Sequence, residues 1–175
     1  PVVKRYIYRP GQRPVAGEDY ENAPLYYELR NTEKTGLGRF KLPRGKARIF
    51  MKDSGGSRVF LGEDWAPALP VREKHELSLG VSRDVVIRRN ILKDQRDNIR
   101  RNDKRRIVLY DRTVTIRYEI ENFKDEATEL KIVENIDDYW RVKQVRPRDV
   151  KTERKDAQTL ELLAPLPPKG EKIEV

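Results

Sequence analysis

The sequence has no cysteine, one histidine and one methionine among its 175 residues. Without cysteine, disulfides, thiolate zinc sites, iron–sulfur clusters and cysteine nucleophiles are excluded. A single histidine also excludes any site that needs two imidazoles from one chain. No stretch approaches 18 consecutive apolar residues, so a membrane-spanning helix is not expected. These absences favour a basic domain without catalytic machinery, metal or cofactor.

The charge of the chain is concentrated in one segment. Basic residues outnumber acidic ones by 38 to 29, for a formal net charge of +9. Residues 88–106 hold nine basic and three acidic side chains, a net charge of +6. Such a cluster attracts phosphates, anionic polysaccharide or an acidic membrane surface. The candidate anion-binding residues are Arg88, Arg89, Lys93, Arg96, Arg100, Arg101, Lys104, Arg105 and Arg106.

The same segment also fits a solvated face, or a strand edge that lysine and arginine protect from pairing with other chains. It contains no aromatic residue, so the stacking platform of single-strand binders is missing from it. A short helix is one possible conformation, because Ile91, Gln95 and Ile99 recur at helical spacing. The preferred alternative is a long hairpin in which residues 83–96 and 104–120 pair across a turn near 98–103.

Apolar residues elsewhere recur mostly with a period of two, which is typical of half-buried strands. The clearest hairpin joins residues 47–52 to 59–61 across the glycine-containing loop 53–57. The pattern predicts an all-β fold, an immunoglobulin-like β-sandwich of roughly eight to ten strands. Residues 25–175 form its single domain, and residues 1–24, rich in proline and glycine, form an irregular or edge-strand lead-in.

Few side chains are candidates for catalysis. His75 is flanked by charged residues, and no serine lies in a G-x-S-x-G elbow. Neighbouring carboxylates such as Asp137 and Asp138 point to opposite faces of a strand, so they cannot act together on one substrate. Trp140 lies in an alternating run and is expected in the core, whereas Trp65, near two prolines, is expected to be partly exposed.

A series of motifs resembles the C-terminal β-domain of the mucoidy-inhibitor-like family of bacterial proteins, a domain of unknown function. In order, they are Thr35-Gly36-Leu37-Gly38, Leu42-Pro43-Arg44-Gly45-Lys46-Ala47-Arg48-Ile49-Phe50, Phe60-Leu61-Gly62-Glu63-Asp64, Leu77-Ser78-Leu79-Gly80, Tyr118-Glu119-Ile120-Glu121-Asn122 and Tyr139-Trp140. The resemblance implies a β domain at the C-terminal end of a longer protein, located in the periplasm or cell envelope. It supplies no catalytic residues. Where members commonly have His-Thr-Pro, this chain has Ala68-Leu69-Pro70.

Three functions follow as hypotheses. The first is a non-enzymatic interaction or structural module of a bacterial cell-envelope protein, with a protein or envelope component as partner and a homo-oligomer left open. The alternative is a polyanion-binding module, for nucleic acid or acidic polysaccharide, that acts through residues 88–106. The third is a carboxylate-dependent glycan hydrolase, which requires two carboxylates of unlike environment facing one cleft.

Overall fold

The structure, a computed structural model, describes residues 2–11 and 20–175, and these residues are all-β, as the periodicity predicts. Their regular structure consists of ten strands and one short 3-10 helix, Glu33–Thr35. The strands are β1 (Val3–Tyr8), β2 (Glu21–Arg30), β3 (Gly45–Lys52), β4 (Arg58–Ala66), β5 (Lys74–Arg101), β6 (Ile107–Asn122), β7 (Thr128–Asn135), β8 (Lys151–Arg154), β9 (Thr159–Leu166) and β10 (Lys172–Glu174). Within the described residues, no helix is long and apolar enough to cross a membrane.

Eight strands form one curled sheet in the order β10-β6-β5-β2-β1-β7-β9-β8, and β3 pairs only with β4. Neighbours in the sheet are antiparallel except β1 and β7, which are parallel. The curl brings the end of β6 beside the loop after β9. There the Gly170 amide donates to the Asn122 carbonyl at 2.7 Å, and the Asn122 side chain donates to the Pro167 carbonyl at 2.9 Å.

One core fills the inward face of the curled sheet. Side chains alternate between the two faces of a strand, so the strands that line this core contribute alternate residues to it. Tyr8 and Tyr118 meet edge to face with ring centres 6.4 Å apart. The core residues of the longer strands are Tyr6, Tyr8, Ala23, Val85, Ile87, Tyr118, Ile120, Leu130, Ile132, Leu162, Ala164 and Leu166. Burying each large side chain contributes about 1.5–3 kcal/mol.

The expected irregular or edge-strand lead-in over residues 1–24 needs correction where the structure describes it. β1 lies inside the sheet between β2 and β7, and Ile7 is completely buried. The run Tyr6 to Tyr8 is apolar at consecutive positions, which is typical of a strand covered on both faces. Ala23, near the start of β2, also enters the core. Residues 12–19 of the expected lead-in lie outside the described residues.

Trp140 also differs from its expected place. β7 ends at Asn135 and β8 begins at Lys151, so the alternating run around Trp140 forms no strand. Trp140 is half-buried in the loop between them, where its amide donates to the Asp137 carbonyl at 3.1 Å. The aspartates before it favour a turn over continuation of the strand.

The two predicted hairpins are confirmed. β3 pairs with β4 across residues 53–57, where the Ser57 amide donates to Asp53 Oδ1 at 2.8 Å. β5 and β6 form a long hairpin, so the helical alternative for the basic segment is wrong. The turn of this hairpin is closed by the Asn102 amide donating to the Arg106 carbonyl, a few residues beyond the predicted position. Trp65 is 67% exposed, as expected.

Candidate functional site

The β5–β6 hairpin runs beyond the sheet as a two-stranded arm, defined here as residues 88–117. β2 pairs with β5 only as far as Ile87, and β10 pairs with β6 at residues 119–121. In the described chain, no third strand joins either edge of the arm. The fourteen residues of β5 in the arm, 88–101, at about 3.3 Å each give a length of roughly 45 Å. The arm therefore offers two strand edges with unpaired backbone groups.

The first two basic residues of the candidate set fasten the base of the arm. Arg88 pairs with Glu119, and its guanidinium lies 4.8 Å from the ring centre of Tyr20. Arg89 donates to Glu134 at 2.7 Å. Both pairs are largely withdrawn from solvent, with Arg89 and Glu134 side chains only 15% and 10% exposed. These two arginines therefore hold the fold together and are not available to an anionic ligand.

The two carboxylates at the base have unlike environments. Lys172, at 2.8 Å, and Arg88 hold the pKa of Glu119 at about 2. Burial raises the pKa of Glu134, although Arg89 opposes the shift. Tyr118 donates to Glu134, and Tyr118 and Glu119 are adjacent on β6, so the two carboxylates lie on opposite faces of the sheet. Glu119 and Glu134 cannot act together as the acid and base of a hydrolase.

The other seven basic residues lie along the arm and carry no ion pair to any described residue. Arg96 stacks 4.6 Å from the ring centre of Tyr110, and Arg101 donates to the Arg105 carbonyl at 3.1 Å. The remaining five have no side-chain partner in the part of the chain that the structure describes; they are Lys93, Arg100, Lys104, Arg105 and Arg106.

The outermost part of the arm, residues 98–109, is called the tip. The tip combines five basic residues, 100, 101 and 104–106, with aliphatic side chains that face solvent. Ile99 is 44% exposed, Val108 61% and Leu109 55%. Exposed aliphatic groups in such number on a narrow ribbon are unusual unless they serve an interaction.

The structure also supplies aromatic residues that the basic segment lacks. Tyr110 and Arg112 share one face of β6, and Arg112 contacts Trp140 of the loop between β7 and β8. The Arg112 guanidinium is 5.8 Å from the Trp140 ring centre and donates to both oxygens of Asp94, at 2.7 and 2.6 Å. The rings of Tyr139 and Trp140 stack at 6.1 Å and 27°. We call Tyr110, Arg112, Asp137, Tyr139 and Trp140 the platform.

Arg154 holds in place the loop between β7 and β8, which contributes Asp137, Tyr139 and Trp140 to the platform. Its guanidinium donates to the carbonyls of Asp138 at 3.1 Å, Trp140 at 3.0 Å and Ala157 at 2.6 Å. Asp137 Oδ2 accepts from the Tyr139 hydroxyl at 2.8 Å and from Trp140 Nε1 at 3.3 Å, and the first of these bonds raises the pKa of Tyr139. The Tyr139 ring is thus exposed and the Trp140 ring half-buried, and both are fixed in orientation.

Sequence reasoning missed the platform because its residues come from three separate segments. Residues 110–112, 137–140 and 154 belong to β6, to the loop after β7 and to β8, and Arg112 and Arg154 approach Trp140 from different elements. The adjacent Asp-Asp-Tyr-Trp of residues 137–140 was the available signal, since aromatic residues beside turn-forming aspartates are often exposed. Within the described chain, no three histidine or acidic side chains converge as a metal site.

Comparisons with protein-family models, with curated proteins and with solved structures gave no match. The function of the chain is therefore inferred from the geometry of the arm and the platform.

Proposed function

We propose that this chain is a non-enzymatic interaction module of a bacterial cell-envelope protein, and that the arm is its docking element. The open edges of the arm carry the proposal. Unpaired strand edges are templates for another strand, and peptide partners commonly bind by adding to such an edge. An isolated two-stranded ribbon is at best marginally stable in water. A partner strand or surface would complete the arm by pairing its edges and covering its aliphatic tip.

The envelope setting and the immunoglobulin-like sandwich form part of the same proposal. The motif resemblance supports a periplasmic or envelope location and a longer parent protein. The core supports a two-layer arrangement, because Tyr118 and Ile120 from one half of the sheet pack with Leu130 and Leu162 from the other. In a sandwich, side chains of two facing sheets form one core in this way.

Site-specific crosslinking tests the docking role. A photoreactive residue is placed at Val108 in the tip, and in a matched control at Phe40, which is 78% exposed and lies outside the arm. In bacterial cells that produce the parent protein, we expect a discrete adduct from Val108, competed by excess unlabelled domain, and none from Phe40. Equal labelling from both positions, or adducts that excess domain does not reduce, would exclude the arm as docking element.

A variant with a shortened arm provides a second, independent test. Residues 101–108 are replaced by Asn-Gly, which joins the paired residues Arg100 and Leu109 through a two-residue turn. This variant keeps the platform and the base of the arm. We expect it to fold like the wild type and to lose competition for the Val108 adduct. Full competition by the shortened domain would contradict docking through the tip.

The free cations of the tip support polyanion binding as a second candidate function. Five basic side chains and one acidic side chain lie between residues 98 and 109, and none of the five forms an ion pair with a described residue. Affinity that depends on such charges falls steeply as salt rises. Titration with duplex DNA and with RNA at 50 and 200 mM salt tests this function at the tip.

The matched variants for that titration remove three charges each. The tip variant changes Lys104, Arg105 and Arg106 to glutamine. The control variant changes Lys41, Lys52 and Arg58, which are likewise exposed, to glutamine. We expect the tip variant alone to lose affinity and salt dependence. If both variants lose the same affinity, only the net charge of the chain matters and the tip is not a site.

A further inference from the structure

We infer that the platform is a binding site for an acidic oligosaccharide, with its sugar rings on Tyr139 and Trp140 and its acid groups on the neighbouring arginines. This inference goes beyond docking through the edges and tip of the arm, because it assigns a ligand to one face of the arm near Tyr110 and Arg112 and to the adjoining loop. Neither the open edges nor the tip takes part in it.

The exposed rings supply the first element of such a site. Tyr139 is 74% exposed although its ring orientation is fixed by Asp137 and by stacking on Trp140. Aromatic side chains offer a large rigid apolar face at low cost in conformational entropy. The C–H face of a pyranose ring is apolar and flat enough to lie on such a surface. Because Arg154 already fixes the loop, little ordering remains to be done upon binding.

A free acceptor for sugar hydroxyls supplies the second element. Asp137 uses only Oδ2 in its bonds to Tyr139 and Trp140. Its Oδ1 accepts no hydrogen bond, and no cation pairs with the carboxylate, among the described residues. An ionised carboxylate has about four acceptor positions, so capacity remains beside the rings. Hydroxyl groups of a sugar would donate to Oδ1.

The Arg112 guanidinium beside Trp140, and basic residues that follow the rings in the chain, supply the third element. Arg112 uses two of its five N–H groups on Asp94, so further donors remain. Residues 141–148 contain four basic and no acidic side chains, and Lys143 of this stretch donates to Thr113 on the arm at 3.3 Å. Arg96 adds another guanidinium beside Tyr110. Guanidinium groups bind carboxylates through paired hydrogen bonds, so these residues favour uronic acids over neutral sugars.

The same observations favour an acidic glycan over single-stranded nucleic acid. A nucleic-acid strand needs aromatic side chains spaced along its basic track, one for each stacked base. Here the aromatic residues are confined to the platform, and residues 98–109 of the tip contain none. Asp137 also offers a free acceptor beside the rings, which the several hydroxyl groups of a pyranose ring can use, whereas the sugars within a DNA strand have no free hydroxyl group to donate.

Tryptophan fluorescence tests the inference directly. The chain has two tryptophans, so Trp65→Phe leaves Trp140 as the only reporter, located in the platform. The probes are a hexamer of galacturonic acid, neutral cellohexaose and a single-stranded thymidine oligonucleotide. We expect a saturable change in Trp140 emission with the acidic hexamer, with at least tenfold weaker binding of the other two. Equal or tighter binding of either other probe, or no change at about 1 mM acidic hexamer, would overturn the inference.

Matched variants show whether the platform itself binds the probe. Tyr139→Ala removes an exposed ring and should weaken binding about tenfold or more. Phe40→Ala removes an equally exposed ring outside the platform and should leave affinity unchanged. The variant with residues 101–108 replaced by Asn-Gly should bind like the wild type, which separates this site from docking through the tip. Unchanged affinity in Tyr139→Ala, with circular dichroism like that of the wild type, would also overturn the inference.

Discussion

Arg88 and Arg89 are neighbours on β5, yet their guanidinium groups pair with carboxylates on opposite faces of the sheet. Arg88 pairs with Glu119 beside Lys172, and Arg89 pairs with Glu134 on the face that holds the core. The alternation of side chains along a strand explains this division. One ion pair on each face fixes the direction in which the arm leaves the sheet.

Removing Arg89 should destabilise the chain more than removing Arg88. Arg89→Met leaves the buried Glu134 without a cation, and loss of one partner of a buried pair costs about 3–5 kcal/mol. Arg88→Met leaves Glu119 with Lys172 and Tyr20, so we expect about 1 kcal/mol. Urea unfolding followed by circular dichroism measures both. The double variant Arg89→Met with Glu134→Leu should recover most of the loss; equal destabilisation by the two single variants would contradict the assignment.

Acid should destabilise the chain through Glu119. Its pKa is lowered from 4.5 to about 2 in the folded chain, so unfolding leads to proton uptake between these values. The stabilisation from Glu119 is therefore present above pH 4.5 and is lost as the pH falls towards 2. Unfolding free energies measured from pH 6 to pH 2 should fall less steeply for Glu119→Gln than for the wild type.

A control carboxylate shows whether that difference belongs to Glu119. Glu171 is exposed and forms no ion pair with a described residue. Glu171→Gln should keep the steep acid dependence of the wild type. If Glu119→Gln and Glu171→Gln follow the same curve, acid unfolding is governed by other carboxylates.

The fold could be predicted from the sequence where local pattern and turn chemistry agree. The β3–β4 hairpin has alternating strands around a glycine loop, and β6 alternates over most of its length, so both followed from periodicity. The apolar residues around Leu77 and Val85 belong to a single strand, β5, which continues through Gly80 at a φ of 95°. In the sequence, a glycine at this position indicates the end of a strand. In the structure, it permits β5 to bend where β5 pairs with Pro24 of β2.

The candidate site could be predicted only in part, because local sequence patterns do not show which separate segments meet in space. The basic side chains of the arm are contiguous in sequence and were identified. Arg112 and Arg154 contact Trp140 from separate strands, and the alternation within one strand does not encode such contacts. β1 was misplaced because sheet order depends on long-range partners, and its parallel partner β7 lies more than 100 residues away.

Asn31 should be essential for attaching the β3–β4 hairpin to the sheet. Its buried side chain donates to the Phe40 and Leu69 carbonyls at 3.0 and 2.9 Å and accepts from the Gly38 amide at 2.8 Å. Asn31→Asp keeps the shape but cannot donate, so buried carbonyls lose their partner. We expect a loss of about 2–4 kcal/mol and faster hydrogen exchange over residues 41–70.

Two further variants serve as controls for Asn31→Asp. One changes an exposed asparagine, and the other introduces a steric clash at the same attachment. Asn135→Ala changes an exposed asparagine without side-chain bonds in the described chain and should cost less than about 0.5 kcal/mol. Gly38→Ala should resemble Asn31→Asp, because a Cβ there would lie 2.4 Å from the Glu33 nitrogen at a φ of 90°. Uniform exchange across the whole sheet in Asn31→Asp would show that the asparagine stabilises the entire fold and not this attachment.

Arg154→Lys should loosen the platform without unfolding the chain. A guanidinium spans several carbonyls at once, as it does for Asp138, Trp140 and Ala157, whereas an ammonium group is a point donor that cannot reach all three. Because Arg154 is exposed, we expect a global loss below about 1 kcal/mol. With Trp65→Phe, the Trp140 emission should shift to longer wavelength and the affinity for the acidic hexamer should fall. Lys151→Ala, on the same short strand, should change neither, and an unaltered Trp140 spectrum in Arg154→Lys would show that the loop holds its shape without this guanidinium.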